Sequence, residues 1–141
     1  MSAIRSFRGA WAYAAGLLLV SGTALAHHSF AMFDQSRELP LSGTVVDFQW
    51  TNPHSFIDLK VPKADGTSEV WHVELNSPNN LKRQGWKSNA MKPGDKVVVV
   101  INPLRDGQHG GLFLKVTLPD GSVLGDPTRR GDGPINVPTT P

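Results

Sequence analysis

The chain has 141 residues, enough for one domain, with 14 Lys and Arg against 12 Asp and Glu. It has no cysteine, which excludes disulfide staples, thiolate nucleophiles, thiolate metal sites and haem attachment through cysteine. The small formal excess of +2 supplies no field to gather nucleic acid, and that partner class is not expected.

Residues 1–26 read as a secretory signal. Arg5 and Arg8 form a positive n-region, Ala14 to Val20 is a short apolar run, and Ala24-Leu25-Ala26 is an A-x-A cleavage site. The apolar run is too short to span a bilayer comfortably, so cleavage is expected and no stable membrane anchor remains. The expected location is the periplasm or the outside of the cell. Cleavage removes Arg5 and Arg8 and brings the basic residues down to the number of acidic ones. It also makes His27 the first residue, followed by His28. A terminal histidine offers an amine and an imidazole together, a chelate that suits copper(II).

Residues 27–40 form a lead-in in which Phe30, Met32 and Phe33 are expected to pack one side down. A barrel domain is expected over 41–124. Its first strand covers Leu41 to Trp50, where Val46, Phe48 and Trp50 alternate with Val45, Asp47 and Gln49. Gly43 within it predicts a bulge or sharp bend. After Thr51-Asn52-Pro53, a second strand runs from His54 to Val61, with Ile57, Leu59 and Val61 on one face. Asp65-Gly66 predicts a type I′ hairpin turn. The third strand runs from Ser68 to Asn76, with Trp71, Val73 and Leu75 inward. Pro78 to Lys87 holds a short helix that buries Leu81 and Trp86, capped by Ser77 or Asn79. Lys96 to Ile101 is a β-branched run expected to be buried on both faces. A glycine-rich loop, Asn102 to Gly111, leads to a fifth strand with Leu112, Leu114, Val116 and Leu118 on one face. Val123-Leu124 is read as a short added pairing, and 125–141 as a disordered tail.

Five strands with a short helix between the third and fourth fit an all-β, five-stranded barrel of the oligonucleotide/oligosaccharide-binding (OB) type. The alternative is an open β-sandwich. Centring the hairpin on Asp65-Gly66 sets Asp58 opposite His72, Phe56 opposite Glu74 and His54 opposite Asn76, all on the outward face. That face and the loops between strands one and two and strands four and five are where OB barrels bind ligands. Asn52, His54, Phe56, His72, Arg105 and His109 are the candidate contacts. His54 and His109 are expected to approach across the groove, with Arg105 and Asn52 nearby. His27, His28, His54 and His109 are the candidate metal ligands, with copper as the possible cofactor. Trp50, Trp71 and Trp86 are expected to pack, and Phe56 to point outward.

No catalytic constellation is legible. Ser55 points inward by parity, and there is no G-x-S-x-G elbow to pair with Asp58 and His72. The leading expectation is a non-enzymatic, exported binding module for a small ligand or metal ion. The alternatives are a copper-binding or copper-redox protein using His27, and an accessory subunit whose groove receives a periplasmic protein partner.

The segments His27-His28-Ser29-Phe30-Ala31, Phe33-Asp34, Trp50-Thr51-Asn52-Pro53-His54 and Asn102-Pro103-Leu104-Arg105-Asp106-Gly107 resemble a family of small exported proteobacterial proteins of uncharacterised function. The resemblance spans roughly residues 27–119. It implies one exported β-domain and supplies no activity, cofactor or catalytic residue. The terminal histidine is also similar to the start of periplasmic copper carriers and of copper monooxygenases with a histidine brace, a likeness one residue long from which no role follows.

Overall fold

The structure is a computed structural model, and it describes residues 30–126. The expected signal segment, His27, His28 and residues 127–141 lie outside the described residues. The chain divides into a unit ending at Phe30 and a second that begins at Ala31. Among the described residues no helix is long and apolar enough to cross a membrane.

Alternating apolar residues and turn glycines produce β1 (Leu39–Gln49), β2 (Phe56–Pro62), β3 (Ser68–Glu74), α1 (Pro78–Arg83), β4 (Lys96–Pro103), β5 (Gly110–Thr117) and β6 (Val123–Gly125). The sheet order is β3-β2-β1-β4-β5-β6. Parallel pairing of His72 to Glu74 with Gly110 to Leu112 joins β3 to β5. A five-stranded OB-type barrel is thereby closed, with β6 added outside on β5, and the sandwich alternative falls.

The first strand departs from simple alternation. Val45 pairs with Leu59 but Asp47 pairs with Asp58, so Val46 is the extra residue of a bulge. Leu41 and Val45 point inward before it, whereas Phe48 and Trp50 pack on the core after it. Val46 therefore does not share a face with Phe48, contrary to expectation; it is exposed. Gly43 is not the bulge. An added Cβ there would lie 2.6 Å from the Lys60 carbonyl oxygen and 2.8 Å from Leu59 Cγ, so the glycine permits close packing of β1 on β2.

The β2–β3 hairpin has the expected register, with Asp58 opposite His72 and Phe56 opposite Glu74. Its turn differs from type I′. Gly66 has φ +83°, whereas among the described residues no non-glycine residue has positive φ. Gly66 N–H donates to Lys63 O and Lys63 N–H to Thr67 O, which is a three-residue loop with glycine in the left-handed position. Asp65 stabilises it by accepting from the Thr67 N–H.

Ser77 caps α1 by accepting from the Asn80 N–H, with Pro78 in the first turn. The helix places Leu81 in the core, and Trp86 follows edge-on to Phe113 at 5.3 Å. Full burial of a side chain such as Leu81 contributes about 1.5–3 kcal/mol. The core also holds Ile57, Leu59, Val73, Leu75, Val99, Ile101 and Val116. Val98 is only half-buried, so β4 is not covered on both faces along its whole length.

Both ends of the domain reach beyond the expected limits. In the lead-in, Phe33 is buried and bridges to Leu104, while Met32 is exposed. Asn102 Nδ2 donates to Arg37 O at 2.7 Å. At the other end, Gly125 belongs to β6 and Asp126 is buried. The Asp126 carboxylate accepts from Gln84 Nε2 at 3.1 Å and Asn76 Nδ2 at 3.3 Å. Trp86 Nε1 donates to Gly125 O. The folded domain therefore continues past Leu124, where it was expected to end.

Candidate functional site

The period of two puts Phe56, Asp58, His72 and Glu74 on the outward face of β2 and β3, and the bulge at Val46 brings Asp47 and Gln49 onto the same face of β1. Their registers make two rows across the sheet. Gln49, Phe56 and Glu74 form one; Asp47, Asp58 and His72 form the other.

His72 Nδ1 lies 2.6 Å from Asp58 Oδ1. An ionised carboxylate only accepts, so Nδ1 carries the proton and, in the neutral ring, Nε2 keeps its lone pair. The ring stacks on Phe56, with centroids 4.6 Å apart and planes 15° from parallel. Gln49 Nε2 donates to the other Asp58 oxygen at 3.3 Å. The imidazole is thus fixed at one edge and one face. Its side chain is still 55% exposed.

His54 repeats the arrangement at the end of the β1–β2 loop. Its Nδ1 lies 2.7 Å from Glu74 Oε1, and its carbonyl accepts from Thr51 Oγ1 at 2.9 Å. The loop contains a cis Asn52–Pro53 peptide bond. Two carboxylate-held imidazoles therefore flank Phe56, and both point Nε2 away from their carboxylates. The face is acidic. Asp47 and Asp58 are directly opposed across β1 and β2, an arrangement of like charge that disfavours the sheet unless a cation or a hydrogen-bond donor offsets it.

The expected convergence of His54 and His109 does not occur. His109 Nε2 lies 3.0 Å from Glu69 Oε2, and its ring lies on Trp71 at 5.1 Å. Glu69 and Glu74 are near opposite ends of β3, about 17 Å apart at about 3.3 Å per residue. Glu69 and Trp71 also have the inward parity of Val73, whereas Glu74 has the outward parity of His72. His109 belongs to the β3–β5 seam, where its carbonyl accepts from the His72 N–H at 3.0 Å. Arg105 is drawn to the lead-in instead of the groove, with Nε donating to Ala31 O at 3.2 Å and Nη1 3.9 Å from Asp34. Asn52 is exposed on the loop.

Of the six candidate contacts, His54, Phe56 and His72 are brought together; Arg105 and His109 are not. Among the described residues no group of three or more His, Asp or Glu is placed to hold a metal ion. The fold thus supplies no joint His54–His109 metal pair, and His27 and His28 lie outside the described residues. Glu74, Asp47 and Gln49 were missed as site residues. The hairpin register alone could have found Glu74, but Asp47 and Gln49 required knowledge of the bulge.

No curated protein matches the chain. Among solved structures it is similar to the mitochondrial single-stranded DNA binding protein Rim1 from S. cerevisiae, at 9% identity and a TM-score of 0.44, over 61% of this chain and 97% of that one. A family model matches residues 14–114, most of the chain, and the protein accordingly belongs to DUF6152, a family of unknown function.

Proposed function

We propose that this protein is an exported, non-enzymatic binding module whose β2–β3 face takes a small ligand carrying a positive charge or hydrogen-bond donors. The observation that carries the reading is the pair of carboxylate-held imidazoles, His72 with Asp58 and His54 with Glu74, on either side of Phe56. Each neutral ring offers an acceptor at Nε2, and Asp47, Asp58 and Glu74 outweigh Lys60 on the same face. The stacked ring gives an apolar edge beside those polar groups, as small-ligand sites do.

The same charges argue against an oligonucleotide, which needs a cationic groove and a series of exposed stacking rings. Export and a periplasmic location rest on Arg5, Arg8, the apolar run and Ala24-Leu25-Ala26. They belong to the same proposal.

The test is an amide and imidazole NMR titration of the processed protein with agmatine, a small guanidinium-bearing amine, and in parallel with benzoate. Agmatine is expected to shift His54, Phe56, Asp58, His72 and Glu74 and to lose that effect in His72→Ala. Benzoate is expected to leave them unchanged. Absence of agmatine shifts on this face, or equal shifts with benzoate, overturns the reading.

A further inference from the structure

A groove of about 480 Å³ lies where the end of β2, the starts of β1 and β4, and the end of β5 meet. Its volume is in the range of small-molecule sites. Pro62, Val97, Val98, Leu118 and Pro119 give it apolar walls, and Lys96 and Thr117 also line it. It shares no residue with the His54–Phe56–His72 cluster, so the inference does not rest on the function proposed above.

One feature points to a ligand with a particular head. Lys96 is exposed and has no ion-pair partner among the described residues. The acids nearest in the chain are already engaged. Asp95 is held by Lys92 at 2.9 Å, and Asp120 accepts from Ser122 at 2.6 Å. The groove thus joins apolar walls to a free cation, without a local carboxylate that satisfies it.

The geometry points to a second binding site here, for a small amphipathic acid whose apolar body lies along Pro62, Val98 and Leu118 and whose carboxylate pairs with Lys96. The carboxylate distinguishes this ligand from the cationic one proposed for the β2–β3 face.

Octanoate and octanol are suitable probes, since they share a chain and differ in the head. Each is titrated into the processed protein and followed by amide NMR. Octanoate is expected to shift Ser42 to Thr44, Lys96 to Val98 and Thr117 to Leu118, and to bind about three to five times more tightly than octanol, the range of an exposed ion pair. Lys96→Gln is expected to weaken octanoate about three- to fivefold and to leave octanol within twofold. Shifts confined to other surfaces, equal binding of the two probes, or an octanoate affinity within twofold in Lys96→Gln overturns the proposal. Lys96 is on the surface, and an unchanged circular dichroism spectrum verifies that the variant is folded.

Discussion

Replacing Gly43 by alanine puts a methyl group into the tightest contact between β1 and β2. Its Cβ would lie 2.6 Å from the Lys60 carbonyl oxygen and 2.8 Å from Leu59 Cγ. Neither neighbour can give easily. The carbonyl belongs to the β2 backbone, and Leu59 is 0% exposed in the core. Overpacking of this kind costs about 1–3 kcal/mol, and a fixed backbone neighbour puts it toward the upper end, about 2–3 kcal/mol. In a domain of this size each 1 kcal/mol lowers the melting midpoint by about 4–8 °C, so the expected fall is about 10–20 °C. Circular dichroism melts of the protein measure it, and urea unfolding with an unchanged slope verifies that native stability is what changed. Val46→Ala, at the exposed bulge, serves as the control and is expected to move the midpoint by only a few degrees. A fall of less than about 4 °C in Gly43→Ala refutes the close-packing argument.

Three further outcomes are expected. Asp126→Ala strands the Asn76 and Gln84 side-chain donors and is expected to cost about 1–3 kcal/mol in urea unfolding; a change below about 0.5 kcal/mol would detach the end of β6 from the fold. Asp58 and His72 are partly exposed, so their double-mutant cycle is expected to give at most about 1 kcal/mol, while His72→Ala still abolishes the agmatine response; a loss of folding in that variant contradicts a mainly binding role. Acid is expected to lower stability. The carboxyls of Asp34, Asp65, Asp95 and Asp120 are held below their ordinary value of 3.8 by side-chain hydrogen bonds from Ser36, Thr67, Lys92 and Ser122 respectively. A depressed folded-state value contributes stability above 3.8, which is lost as pH falls through the folded values. Melting midpoints should therefore decline below about pH 4, and less steeply in Thr67→Val. A midpoint that stays level from about pH 5 to pH 2 would contradict this.

The barrel and the outward face of β2 and β3 were legible because they depend on local signals. Asp65-Gly66 centres the hairpin, so Asp58 meets His72 even though the turn is a three-residue loop and not type I′. The period of two then assigns faces, and the buried position of Ser55 follows from it. The bulge was not legible at its true position. Val46 is an ordinary β-former, and nothing in the residue says that Val45 and Asp47 will pair with consecutive residues of β2. Gly43 drew the expectation because glycine marks both bulges and close approaches. The fate of His54 and His109 was hidden for a different reason. Their partners, Glu74 and Glu69, have opposite parities on one strand, and the path of the β4–β5 loop chooses between them. Asp126 followed β6 in a Pro- and Gly-rich segment with no periodicity, so its burial left no trace in the pattern.

His54 and His72 present bare Nε2 acceptors on the β2–β3 face because carboxylates hold their Nδ1 protons. Long-range proton–nitrogen NMR of the imidazole rings tests it directly, at about pH 9, well above the ordinary imidazole range. The expected result is the Nδ1–H tautomer for both rings, lost at His72 in Asp58→Asn and at His54 in Glu74→Gln. Rings that carry the proton on Nε2, or that are unaffected by those substitutions, would contradict it.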